Sequence, residues 1–253
     1  MGTNADAAAP LVLLPGFLCD RTVWEPQIAA LSEIAECSCP DYGTLDSLEV
    51  MADLVLRNAP PRFALAGHSM GGRVALEVYR RAPERVLRLG LFDTACGARE
   101  PGIAGEQEAA GRWALHEVAR REGMRAMALR WLPPMLHPES RKDADLVESI
   151  LQMFERGSPA IQEAQVNALL RRPAAEAVVA SVRCPTLLLT GEQDTWSPPA
   201  VHAAMAAAIP GSTLVVIPEC GHMAMLERPA AVTAAMRAWL LSGTVVSTPA
   251  QGR

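Results

Sequence analysis

Residues 63–81 read FALAGHSMGGRVALEVYRR, and this stretch decides the fold. Phe63 to Ala66 is a short apolar run of the kind that forms a buried strand. Gly67-His68-Ser69-Met70-Gly71 fits the pattern G-x-S-x-G, and Met70 to Arg81 carries a helical pattern. A strand that runs into such a turn and a helix that runs out of it hold the serine in strained backbone. Its Oγ then projects beyond the edge of the sheet. The positions flanking the serine are crowded, which accounts for Gly67 and Gly71. Gly72 and Ala75 let the helix lie close to the sheet.

Working outward, the same rhythm continues on both sides. Leu11 to Leu14 reads as a strand ended by Pro15-Gly16, and Trp24 to Leu31 as a helix. Ala35 to Cys39 reads as a strand ended by Pro40. Leu48 to Asn58 is amphipathic, with Leu48, Met51, Leu54 and Val55 on one side, and Pro60-Pro61 stops it. Val86 to Phe92 is a further strand. Strands alternating with helices predict a mostly parallel sheet covered on both faces. From Ala98 to Val182 the strand pattern is lost. Helical patterns run from Glu106 to Arg121, Met124 to Trp131, Ala144 to Phe154, Ser158 to Leu170 and Ala174 to Val179. The alternation then resumes with Thr186 to Leu189, Pro199 to Ala208, Thr213 to Ile217 and Pro229 to Leu241. The expected organisation is an α/β core of residues 1–97 and 183–243, an all-helical insert of residues 98–182, and a loose tail of residues 244–253.

A serine is a poor nucleophile until a base, itself held by an acid, takes its proton. Of the five histidines, His222 alone sits late in the chain on a loop at the carboxyl end of a strand, where catalytic groups collect in open α/β sheets. The acid is expected at another strand end between serine and histidine. Asp194, reached directly from PTLLLTGEQD, and Asp93, after LRLGLF, both meet that condition. The developing oxyanion needs two backbone N–H donors. Met70, next to the serine, is one candidate, and Phe17, in the loop after the first strand, is the other.

Composition narrows the remaining classes. The chain has 253 residues, half of them hydrophobic, and a formal net charge of −5. No basic block is present, which argues against a nucleic-acid partner. No run approaches the ~18 apolar residues of a membrane span. The first ten residues hold no Lys or Arg, and the apolar run after them stops at Pro15, so no export signal is read and a cytoplasmic location is expected. In that setting the six cysteines are expected as free thiols; Cys37 and Cys39 have C-x-C spacing with no second pair, which is not a zinc pattern. No H-E-x-x-H and no G-x-G-x-x-G after a strand occurs, so neither metal nor cofactor is expected.

The stretches LLPGFLCDRTVWEPQIAAL, PDYG, LAGHSMGGRVALEVYRRAPERVLRLGLFDTA, PTLLLTGEQDTWSPP and IPECGHMAMLERP resemble the α/β-hydrolase superfamily. They are most similar to its small bacterial members typified by 3-oxoadipate enol-lactonase and pimeloyl-ACP methyl ester carboxylesterase. The resemblance covers nearly all of the sheet core and not the insert. It implies an α/β-hydrolase fold with a helical cap inserted after the sixth strand. It also implies Ser69 as nucleophile, Asp194 as acid, His222 as base, and Phe17 and Met70 as oxyanion donors. Two departures are evident: Pro15-Gly16 stands where many relatives have His-Gly, and the loop DYGTLDS is shortened.

The function so implied is hydrolysis of a carboxylic ester or lactone of a small, largely apolar molecule through an acyl-enzyme. The same triad serves C–C bond and thioester hydrolysis, and a ligand receptor of this fold is the reading of another class. Trp24, Trp113, Trp131, Met135, Trp196 and Met223 are the candidates for lining the pocket. No cluster of Arg or Lys stands out that would fix a dicarboxylate; Arg112, Arg125 and Arg130 are isolated candidates.

Overall fold

The computed structural model describes residues 9–242. In chain order the elements are β1 (Ala9–Leu14), α1 (Glu25–Leu31), β2 (Ala35–Ser38), α2 (Leu48–Asn58), β3 (Phe63–His68), α3 (Met70–Arg81) and β4 (Val86–Phe92). Then come α4 (Ile103–Glu122), α5 (Met124–Trp131), α6 (Ala144–Glu155), α7 (Pro159–Leu170) and α8 (Glu176–Ser181). The chain returns through β5 (Thr186–Gly191), α9 (Pro199–Ala208), β6 (Thr213–Ile217), α10 (Ala224–Glu227) and α11 (Pro229–Leu241).

The strands form one sheet in the order β2-β1-β3-β4-β5-β6, and every neighbouring pair is parallel. β3 and β5 are buried at every position, which is why they read as unbroken apolar runs rather than as alternating ones. After β1 the chain adds β2 on one side and then β3 on the other. That reversal opens a crevice beyond the carboxyl ends of β1 and β3. Pro15 follows the first of these strands and Ser69 the second. On the helical layers, α2 packs on α3, α8 touches both α3 and α9, and α1 packs on α11.

The expected strands and helices are present to within a few residues, with three differences. The helical insert follows β4, the fourth strand described, and not a sixth; only four strand-forming runs precede it. The helix expected from Trp24 is split, because Arg21–Trp24 is a tight 3₁₀ turn and α1 starts at Glu25 with Pro26 in its first turn. The single turn α10 was not expected, being too short to show a period. All six cysteines are free thiols. The tail expected at residues 244–253 lies outside the described residues.

Candidate active site

Ser69 occupies the N-cap of α3 with φ +52°, a conformation that non-glycine residues rarely adopt, and its side chain makes no capping bond. The turn closes only because its neighbours lack side chains. A Cβ on Gly67 would stand 2.2 Å from the carbonyl oxygen of Gly71, and one on Gly71 would stand 2.3 Å from that of Leu14. The Ser69 N–H donates to the Phe92 carbonyl at 2.9 Å, and the Thr94 hydroxyl donates to the Ser69 carbonyl at 2.7 Å. The strained residue is therefore held from both ends by the chain leaving β4.

Ser69, His222 and Asp194 meet in one hydrogen-bonded line. Ser69 Oγ lies 2.9 Å from His222 Nε2, and His222 Nδ1 lies 2.8 Å from Asp194 Oδ2. The other oxygen of Asp194 accepts the N–H groups of Trp196 at 2.9 Å and Ser197 at 3.0 Å. Burial pushes the Asp194 carboxyl up, but His222 and these two amides outweigh it and hold it below the usual carboxylate range. With Asp194 ionised, Nδ1–H donates to it and Nε2 is left to accept from the serine hydroxyl.

The loop that carries His222 is fixed by groups that sequence reasoning missed. The His222 N–H donates to the Met135 carbonyl at 2.6 Å. Its own carbonyl accepts from His68 Nε2 at 2.9 Å. Burial, and then the neighbouring His222, pull His68 down to about 3, so it is neutral and donates this proton. The Glu227 carboxylate accepts the N–H groups of Gly221 at 2.9 Å and Met223 at 3.3 Å with one oxygen, and that of His137 at 2.8 Å with the other. Glu227 ends α10, the turn that lacked a periodic signal.

Asp93, the alternative acid, is elsewhere in the network. It has φ +45°, and one carboxyl oxygen accepts the Gly191 N–H at 2.9 Å. The other oxygen has no hydrogen-bond partner among the described residues. Burial, and then the charge of Asp194, raise the Asp93 carboxyl well above its ordinary range. Neither oxygen bonds to His222.

Beside Ser69 lies a cavity of about 490 Å³. Phe17, Met70, Trp131, Trp196 and His222 line it together with the serine. Leu18, next to Phe17, has φ +57° and donates its N–H to Gln165 of α7 at 2.7 Å, so the insert braces this loop. Trp131 stacks on Trp196 with centroids 5.3 Å apart and meets Phe17 edge-on at 5.1 Å. The other four expected pocket residues do not line the cavity. Trp24 is fully buried, donates its indole N–H to the Leu14 carbonyl and packs edge-on against Phe92. Trp113 packs against His116. Met135 is buried and its carbonyl accepts the His222 N–H, and Met223, next to His222 in the chain, is buried.

The cavity is also less apolar than the tryptophans and methionines led us to expect. Arg73, Glu108, Arg112 and Arg172 form part of its wall. Arg125 and Arg130 lie outside it, in ion pairs with Glu148, Glu155 and Glu122. Arg73 had a legible signal, one turn after Ser69 on the same helix. Arg172 had none. Among the described residues no three His, Cys, Asp or Glu side chains gather into a group able to hold a metal ion, and no helix is long and apolar enough to cross a membrane.

Residues 11–235 match the model of the alpha/beta hydrolase family. The chain is 30% identical, over 91% of its own length and 94% of the relative's, to a pimeloyl-[acyl-carrier protein] methyl ester esterase of Pectobacterium carotovorum. It superposes on a thermophilic esterase from Thermogutta terrifontis, solved with malate bound, with TM-score 0.84 and 31% identity, covering 92% of this chain and 90% of that one. The enol-lactonase from Burkholderia xenovorans shares the fold, with TM-score 0.80 and 23% identity over 94% of each chain.

Proposed function

The chain belongs to the alpha/beta hydrolase family, and from that premise we propose that it is a serine hydrolase of the esterase and lactonase type, acting through an acyl-enzyme. The observation that carries this reading is the line Ser69 Oγ, His222, Asp194, with successive distances of 2.9 and 2.8 Å.

In the proposed reaction His222 Nε2 takes the proton of Ser69 as Oγ attacks the carbonyl carbon. Ionised Asp194 holds the ring in the tautomer that leaves Nε2 free, and stabilises the imidazolium as it forms. The oxyanion points to the N–H groups of Met70 and Phe17. As the first helical residue of α3, Met70 has an N–H with no partner inside the helix, and the positive end of the helix dipole adds to its pull. The imidazolium then protonates the leaving alcohol, or the ring oxygen of a lactone. Water, deprotonated by the same histidine, releases the acid and restores Ser69. The insert, α4 to α8, serves as a cap that supplies Trp131 and much of the cavity wall.

The test is Ser69→Ala assayed on a short para-nitrophenyl ester, with folding checked by circular dichroism. Loss of about 10⁴-fold or more in kcat is expected, together with stoichiometric labelling of Ser69 by a fluorophosphonate in the unmutated protein. A variant that keeps a tenth of the activity would refute the assignment. A protein that binds the ester and releases a single equivalent of phenol would be a receptor instead.

A further inference from the structure

The cavity next to Ser69 has a charged wall that the hydrolytic line does not use. Arg73 projects from α3 of the sheet core. Arg112, from α4, and Arg172, just beyond α7, come from the insert. Glu108 is the one carboxylate among the residues that line the cavity. Arg172 grips both oxygens of Glu108, at 2.7 and 2.8 Å, and Arg112 shares one of them at 2.9 Å. One negative charge thus faces three positive ones.

The guanidinium groups are not fully occupied. The Arg172 side chain is 10% exposed, and its Nε has no hydrogen-bond partner among the described residues. Arg73 donates one N–H to the Gly97 carbonyl at 2.7 Å, and no carboxylate among the described residues is bonded to it. Burial and the nearby Arg172 pull Arg73 down to about 10, so it remains protonated at neutral pH. A part-buried guanidinium that no carboxylate neutralises is a strong anion-binding group. Ser69 and Arg73, one helical turn apart, line the same cavity of about 490 Å³.

We propose that this wall is an anion subsite, and that the preferred substrate is an ester or lactone bearing an ionised carboxylate a few bonds from the carbonyl that Ser69 attacks. This rests on the hydrolase reading above and adds the class of substrate to it. The carboxylate meets Arg73 on one side and Arg112 and Arg172 on the other, so substrate charge bridges core and insert. Hydrolysis then yields a dicarboxylic acid, or a hydroxy acid carrying a second acid group.

Two esters that differ by one group test it: para-nitrophenyl butyrate, and the mono-para-nitrophenyl ester of glutaric acid, which adds a terminal carboxylate. The unmutated protein is expected to favour the charged ester in kcat/KM by roughly tenfold or more. Arg73→Gln and Arg112→Gln should each bring that ratio toward one, and Glu108→Gln, which removes the internal competitor, should not lower it. Because a ratio is read within each variant, a partial loss of folded protein cancels. Free glutarate should compete with the butyrate ester. A ratio at or below one in the unmutated protein, or one unchanged in both arginine variants, overturns the subsite while leaving the hydrolase reading standing. Competition by inorganic phosphate but not by glutarate would reassign the site to phosphate and overturn the carboxylate. If neither ester is cleaved and Ser69 is not labelled by a fluorophosphonate, the underlying hydrolase reading fails first.

Discussion

Strands β4 and β5 lie side by side in the sheet, and an aspartate follows the carboxyl end of each. Asp93 comes directly after β4 and Asp194 three residues after β5, both between Ser69 and His222 in the chain. Their surroundings push them in opposite directions. Asp194 receives two amides and the imidazole of His222, and its carboxyl is held below the usual range. Asp93 receives the Gly191 amide, has one oxygen without a hydrogen bond among the described residues, and is pushed up by burial and by the charge of Asp194. Position at a strand end therefore does not make a carboxyl group an acid for the histidine. The number of donors around it and the charge of its neighbour do.

The largest effect expected from this contrast is on turnover. Asp194→Asn should lower kcat by a factor on the order of 10³–10⁴, because the histidine loses its tautomer lock. Asp93→Asn, measured on the same ester, should change kcat by less than about tenfold, having no bond to the base. If the two results come out reversed, the acid has been misassigned. Next in size is Gly191, whose amide holds Asp93. A Cβ there would stand 2.1 Å from the Gly221 carbonyl oxygen and 2.5 Å from that of Cys220, both backbone atoms. Gly191→Ala should destabilise the protein by about 1–3 kcal/mol in denaturant unfolding. It should also lower kcat by pushing the His222 loop away.

The most specific effect is a slope with pH. The Asp93 carboxyl is raised in the fold above its unfolded value of about 3.9. The stability tied to its proton is complete below that unfolded value and is lost as pH rises through the folded one. Above about pH 4 the unmutated protein should therefore lose stability relative to Asp93→Asn, at about 1.4 kcal/mol per pH unit until Asp93 ionises. Unfolding free energies for both proteins across that range would measure it. Parallel curves would mean that Asp93 is ionised in the fold and that the contrast with Asp194 is false.

The sequence made this architecture legible wherever the signal was local. Strand, turn and helix around Ser69 sit within twenty residues, and the period of each element is set by neighbours a few positions away. His222 stood out as a late loop histidine after a strand, whereas Asp194 and Asp93 both follow strands and only the resemblance of GEQDTWSPP favoured Asp194. What was not legible depends on distant pieces of chain. Gln165 reaches Leu18 across 147 positions, and Glu227 reaches His137 across 90. Arg172 gives no sign in the sequence that it joins Arg73 and Arg112 in one cavity wall beside Ser69. Trp24 and Met223 failed as pocket candidates for the converse reason: residues near the site in sequence turned their side chains into the core.

The bonds that tie the insert to the His222 loop couple the two pieces of chain mechanically. His222 N–H is held by the Met135 carbonyl, and His137 N–H by Glu227, which also holds Gly221. Lifting the stretch from Met135 to His137 would take two of these bonds away together, while His68, Asp194 and the Glu227 bonds to Gly221 and Met223 would still hold the His222 loop. The insert is thus one buttress of that loop among several.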